Sequence, residues 1–217
     1  MSNYAKAIRH LKKCDPVLRS VIERVGKCDL HLECEPHQFG ALVDAIIYQQ
    51  LAYKAAQTIS RRFQQLYASR DGAGPGRLPE PKELQRTPVR KLRRAGLSRQ
   101  KIGYLRDLAR KASDDTLALG RFGRMPDEAV IENVTQVKGI GQWTAEMFLI
   151  FSLRRADVLP VGDLGLQYGF KEAYGMRALP SEGKMQKLGE AWRPYRSIAT
   201  WYLWKVRRLQ SRSGGEA

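Results

Sequence analysis

Cysteine is scarce in this chain and confined to its first part: Cys14, Cys28 and Cys34 are the only three in 217 residues. They cannot all pair with one another. In a chain long enough to bury a core without staples they read as free thiols rather than a disulfide framework. Acidic residues are scarce as well. Asp and Glu number 22 against 38 Lys and Arg, a formal net charge of +16. That excess calls for a polyanionic partner, because each neutralised phosphate releases counterions and adds affinity. Nucleic acid and an anionic membrane surface both qualify. The chain has no run of about 18 apolar residues and no short apolar segment behind a basic N-terminus, which argues against the membrane. The expectation is a soluble intracellular protein, in the cytoplasm (nucleoid) of a bacterium or the nucleus of a eukaryote. Strand signals are sparse and no internal repeat is visible, so helices must carry the fold.

One cluster needs weighing. Cys28, His31, Cys34 and His37 recur at every third residue in "CDLHLECEPH", offering four metal ligands. Zinc sites usually place a longer loop between ligand pairs, and Pro36 stiffens the last step. Buried or half-buried thiols are therefore the preferred reading. Stoichiometric zinc in protein purified without added metal would overturn it.

Helical periodicity recurs from Phe39 to Tyr67, where Leu42, Ile46, Ile47, Ala55, Ile59, Phe63 and Leu66 fall at three- and four-residue steps around a break at "QQLAYK". Two consecutive helices follow from that. The glycine- and proline-rich segment Asp71 to Pro81 is expected to be a surface loop. Short helices are expected around Lys82 to Arg94, and a longer one from Ser98, as N-cap, to about Ala112. Pro126, Asp127 and Glu128 mark a helix start, with the helix running to about Val134. Further helices are expected at about Gln142 to Leu153, Asp163 to Tyr174, Ser181 to Ala191 and Pro194 to Arg208, followed by a disordered tail over residues 211–217. The result is an all-α chain. Arg90, Lys91, Arg93, Arg94, Arg99, Lys101, Arg106, Arg110 and Lys111 crowd one stretch against a single acid, Asp107. Any one of them can be plain solvated surface, but the cluster as a whole is harder to dismiss.

The most informative stretch is "TQVKGIGQWTAEMF", Thr135 to Phe148. Two helices joined by Val-Lys-Gly-Ile-Gly form a helix-hairpin-helix. Gly139 and Gly141 lack the Cβ atoms that would block close approach, so amides at the start of the second helix can point at a phosphate, which the helix dipole also favours. Alone, a glycine pair before a helix is weak evidence.

It gains force from "DVLPVGDLGLQYGF", which begins at Asp157, and from "FGALVDAIIYQQLAYKAAQTISRRF", "LRRAGLSRQKIGYLRDLA" and "WRPYRSIATWYLW". Together, in this order, these segments resemble the helix-hairpin-helix-GPD superfamily of DNA glycosylases, in its alkylation-repair branch of 3-methyladenine DNA glycosylase II type. The resemblance spans about Phe39 to Trp204. It implies a two-lobed helical fold with an active-site cleft between the lobes. Residues 37–155 would form a central bundle carrying the hairpin, and residues 1–36 with 156–217 a second lobe.

The resemblance also implies roles. Asp163 matches the catalytic aspartate, following Leu159-Pro160-Val161-Gly162 and opening the next helix; an ordinary N-cap is the plain alternative, and both can hold at once. Bifunctional relatives carry a reactive lysine where this chain has Trp143, so hydrolysis by water, leaving an abasic site without strand cleavage, is expected. Tyr48, Trp143, Met147 and Trp204 would line the base pocket, where an aromatic face attracts an alkylated, cationic purine by up to about 2 kcal/mol; Met147 stands where some relatives have tyrosine. Gln49, Gln50 and Leu51 would supply the wedge that fills the gap left by the flipped base. The serine usual after that leucine is Ala52 here. Amides of Gly139, Gly141, Trp143 and Thr144 would grip a phosphate, and carbonyls of Thr135, Val137 and Ile140 would hold a monovalent cation. No cofactor is otherwise required. The iron–sulfur cluster held by four C-terminal cysteines in other branches is excluded, since no cysteine follows Cys34.

The implied partner is double-stranded DNA containing alkylated bases, met by a monomer. Two rival readings stay open: the same fold acting on deaminated, mismatched or oxidised bases, and a non-catalytic helix-hairpin-helix module that only binds DNA.

Overall fold

The computed structural model describes residues 4–30, 38–68 and 76–213, with backbone alone from residue 207 onward. Twelve α-helices lie in this described part: α1 (Ala5–Cys14), α2 (Pro16–Val25), α3 (Gln38–Tyr48), α4 (Tyr53–Gln65), α5 (Pro81–Arg86), α6 (Val89–Arg94), α7 (Arg99–Ser113), α8 (Asp127–Thr135), α9 (Gln142–Phe151), α10 (Leu164–Ala173), α11 (Glu182–Gly189) and α12 (Arg196–Ser213). Short 3₁₀ turns occur at Leu119–Arg124 and Glu190–Trp192. Among the described residues there is no strand, and the chain is all-α. No described helix is long and apolar enough to cross a membrane.

The chain divides into two compact units, one of Met1–Glu33 with Arg154–Ala217 and one of Cys34–Leu153. In the second, α3, α7 and α9 enclose a core of Leu42, Ile46, Ile47, Leu105, Leu108, Leu149 and Ile150, all buried. In the first, α10 packs along α12 and both meet α2. Phe170 stacks on Trp192 with ring centroids 5.2 Å apart. Asp15 ties that core together: it caps α2 by accepting from the Leu18 amide at 2.9 Å, and it accepts from the Trp192 indole at 2.9 Å and from the Tyr174 hydroxyl. Burial beside that carboxylate pushes the Tyr174 hydroxyl well above its ordinary range.

Local signals explain several helix starts. Ser98 accepts from the Lys101 amide at 3.1 Å, and Ser181 accepts from the Lys184 amide at 3.3 Å. Glu80 and Glu83 form a capping box around Pro81. Two differences from expectation concern the chain ends. The N-terminal segment forms two helices, α1 and α2, that the periodicity analysis leaves unassigned. At the other end α12 continues to Ser213, so residues 211–213, expected in the tail, are helical; residues 214–217 lie outside the described part. Of the cysteine–histidine cluster only Cys28 is described. It is buried, and burial pushes its thiol up to about 11; His31, Cys34 and His37 lie outside the described residues.

Candidate active site and nucleic-acid interface

The hairpin is built as α8, a tight turn and α9. Gly139 takes φ +83°, and a Cβ there would sit 2.2 Å from the Tyr104 ring, so the turn and its packing both require glycine. Gly141 differs. It is the N-cap of α9 with an extended backbone, φ −95° and ψ 176°, which any residue adopts, and a Cβ would meet nothing within 4 Å. The protein's own packing gives no reason for glycine at 141, whereas an external group pressed against the turn would.

The turn's amides alternate in their use. The Lys138 amide donates to Asp107 at 2.9 Å and the Ile140 amide to the Val137 carbonyl at 3.0 Å. Neither Gly139 nor Gly141 has an acceptor for its amide among the described residues. With the first amides of α9, which lack intrahelical acceptors by geometry, they make a helix start of the kind that can hold an anion.

Asp107, the lone acid of the basic stretch, pins this turn. Besides the Lys138 amide it accepts from Lys111 at 2.6 Å and from Arg110 at 3.1 Å. Burial alone would push its carboxyl up, but these donors outweigh burial and hold it at about 2. Lys111 in turn donates to the Gln136 carbonyl at 2.7 Å. Lys101 is also turned inward, donating to the carbonyls of Ile47 at 2.5 Å and Gln49 at 2.8 Å at the end of α3, and burial lowers its pKa. Much of the expected basic face is therefore internal bracing. The pairing of Asp107 with Arg110 and Lys111 is local, but the bonds to the Lys138 amide and to the carbonyls of Gln136, Ile47 and Gln49 join segments far apart in the chain, where sequence reasoning has no signal.

The same bracing shapes the turn between α3 and α4. Gln49 donates to the Gly139 carbonyl at 2.9 Å, which links this turn to the hairpin and engages one of the three expected wedge residues. Gln50 stands exposed in the left-handed region, φ 55°, a strained place for a residue other than glycine. Leu51 is exposed beside it. Ala52 is the N-cap of α4 and offers no side-chain acceptor, so the cap that serine would give is absent.

Tyr48, Trp143 and Met147 come together on one cavity of 560 Å³, with Gln49, Gln50, Lys101, Tyr104 and Thr144 also on its walls. Trp143 is 50% exposed, which separates it from the core tryptophan Trp192. Gln100, Lys101 and Tyr104, from α7, are lining residues the sequence did not suggest.

In the other unit, Asp163 is the N-cap of α10. Its Oδ1 accepts from the Leu166 amide at 2.6 Å and from the Trp204 indole Nε1 at 2.7 Å. Capping needs only the first bond; the second fixes the carboxylate's direction and gives Trp204 a role the sequence did not show. A Cβ on Gly165 would lie 3.1 Å from that Oδ1 and 3.5 Å from the Trp204 ring, so glycine keeps the pair uncrowded.

The chain is 31% identical over 209 residues to the alkylbase DNA glycosidase-like protein mag2 of Schizosaccharomyces pombe, covering 96% of each. The crystal structure of a DNA-3-methyladenine glycosidase from Bacillus halodurans superposes with a TM-score of 0.84 at 38% identity, covering 98% of this chain and 94% of that one. The Schizosaccharomyces pombe 3-methyladenine DNA glycosylase Mag1, solved with abasic DNA, gives 0.79 at 33%, covering 93% and 96%. Residues 43–194 match the family described as HhH-GPD superfamily base excision DNA repair protein. With a match that runs through the hairpin and the cap of α10 alike, this chain belongs to the helix-hairpin-helix-GPD superfamily of base excision DNA repair proteins.

Proposed function

We propose that this protein is a monofunctional DNA glycosylase that excises alkylated purines of the 3-methyladenine type from duplex DNA and leaves an abasic site. The observation that carries the reading is the Asp163 carboxylate, held by both the Leu166 amide and the Trp204 indole. A carboxylate fixed in this way can stabilise positive charge that develops on a sugar as its base departs. A relative named for an alkylated base supports the substrate class: the chain is 32% identical to DNA-3-methyladenine glycosylase 1 of Schizosaccharomyces pombe over 211 residues, 96% of this chain and 90% of that one.

The steps follow from the residues. The hairpin seats a phosphate on the amides of Gly139, Gly141, Trp143 and Thr144. Gln50 and Leu51, exposed at the end of α3, fill the space left by the flipped nucleotide. The base enters beside Tyr48, Trp143 and Met147, where the exposed indole face favours a purine carrying the positive charge of alkylation. The bond between C1′ and the base nitrogen breaks, and its electron pair leaves with the base and cancels that charge. A water oxygen bonds to C1′ and releases one proton. Trp143 stands at the place of a lysine nucleophile, so no covalent link to the sugar forms. Neutral carbonyls such as those of Thr135, Val137 and Ile140 suit a monovalent cation, which would add positive charge near the same phosphate. The Val137 carbonyl already accepts the Ile140 amide, and its second lone pair remains for such an ion.

Duplex DNA treated with a methylating agent and incubated with the protein should release methylated purines, identified by mass spectrometry, and borohydride should trap no covalent adduct. Release of only deaminated or oxidised bases would redirect the substrate, and no release with intact binding would reduce the protein to a DNA-binding module.

A further inference from the structure

Beside the hairpin, α7 forms one wall of a shallow groove of 370 Å³, lined by Arg99, Gln100, Gly103, Tyr104, Arg106, Asp107, Arg110 and Lys138. We propose that this groove is a second seat for the DNA backbone, taking a phosphodiester of the same duplex that the hairpin grips. The inference rests on the DNA-binding reading above.

Gly103 is the first reason. It lies inside α7, exposed, and a Cβ there would meet nothing within 4 Å. Its backbone is helical, with no need for a positive φ. Glycine inside a helix costs about 0.5–1 kcal/mol relative to alanine, and nothing within this unit's packing repays that cost. A bare backbone on the groove floor does suit a chain that approaches from outside.

Charge is the second reason. Arg106 is only weakly engaged, with its donor 3.4 Å from the Thr87 carbonyl, and Arg110 lies between Asp107 and Asp114. Arg99 and the Lys138 ammonium have no acidic partner among the described residues, while the one acid in the groove, Asp107, is already satisfied by Lys111, Arg110 and the Lys138 amide. The groove therefore presents uncompensated positive charge around a glycine floor. No aliphatic side chain lines its walls, and its one aromatic ring, Tyr104, already packs beneath Gly139, whereas the charge around it suits a phosphodiester.

Continuity is the third. Gln100 and Tyr104 line both this groove and the cavity that holds Trp143, and Tyr104 packs under Gly139 of the hairpin turn. A backbone gripped at the turn can run on directly into the groove.

The test is binding of a fluorescent duplex at several salt concentrations, with melting temperatures measured in parallel, for wild type, Arg99→Ala with Lys138→Ala, Gly103→Leu and Gly141→Asp. The double variant should lose on the order of tenfold in affinity and flatten the slope of log K against log salt by about two, one for each lost phosphate contact. Gly103→Leu should melt at or above the wild-type temperature, leucine being the better helix former, yet bind more weakly. If both bind as wild type does with an unchanged slope while Gly141→Asp is impaired, the groove is ordinary surface and the hairpin reading stands. If wild type does not bind duplex at all, the DNA-binding reading itself falls, and the groove proposal with it.

Discussion

Two helices of this protein begin in opposite ways. α9 starts at Gly141, with no side chain at its cap and open space where one would be, while α10 starts at Asp163, whose carboxylate fills its own cap and is bonded to an indole as well. The physics at the two ends is the same: amides without intrahelical acceptors and the positive end of a dipole. One end is left bare and can recruit an anion from outside. The other carries a built-in anion and can offer it to a cation. On the proposed function, the residue at a single position sets whether a helix start takes a phosphate or supports the charge of a reaction.

That contrast can be broken at either end. The largest effect is expected from Asp163→Asn. Asparagine caps a helix as well as aspartate, so the melting temperature should hardly move. Loss of the charge should slow base release on the order of 10²–10³-fold with duplex affinity kept, and a variant that still released bases at the wild-type rate would show that the two helix starts do not differ in this way.

Next comes Gly141→Asp, which gives α9 the kind of start that α10 has. The backbone at 141 accepts aspartate without strain, and the new cap should hold or slightly raise stability. Duplex affinity should nonetheless fall about tenfold or more, since a fixed negative charge would occupy the place proposed for a phosphate. Unchanged affinity in an anisotropy titration would mean that α9 does not face the backbone.

A smaller effect is expected from Asp107→Asn. The folded protein holds this carboxyl at about 2, below its ordinary 3.8. A lowered pKa means that its contribution to stability is present above about pH 4 and is lost as pH falls through about 2. Hydrogen bonds to a charged group are worth about 1.5–3 kcal/mol, so the variant should melt several degrees lower near neutrality. The gap should close toward pH 2, which thermal melts across that range would reveal. A gap independent of pH would remove the ionic part of this bracing.

The smallest effect concerns a third helix start. α4 begins at Ala52, bare like Gly141 but next to the wedge turn rather than in the hairpin. Ala52→Ser should add about 1 kcal/mol and raise the melting temperature by about 2–4 °C. No gain would show that another group already serves those amides.

What could be read from the sequence was local. Ser98, Ser181 and Asp163 mark helix starts because a cap bonds to an amide three residues on, and the Gly-Ile-Gly turn is visible for a similar reason. The second N-terminal helix has readable local signals too: Asp15 followed by Pro16, and Leu18, Val21 and Ile22 at helical spacing. Other features had no local signal. Trp204 bonds to a residue 41 positions away, and Lys101 reaches carbonyls more than 50 positions away, so only the folded chain brings those pairs together. The left-handed backbone of Gln50 was equally hidden, since glutamine does not announce a positive φ. Within the basic cluster, charge totals do not distinguish Lys101 and Lys111, which brace carbonyls, from Arg99, which does not.

Single-turnover base release from methylated duplex, followed against protein concentration for wild type, Asp163→Asn and Gly141→Asp, bears most directly on the division of labour between the two helix starts. We expect the Asp163 variant to saturate at the wild-type concentration but at a rate lower by orders of magnitude, and the Gly141 variant to need more protein while reaching a near wild-type maximum. An Asp163 variant with an undiminished maximal rate would contradict the assignment of the reaction to that carboxylate.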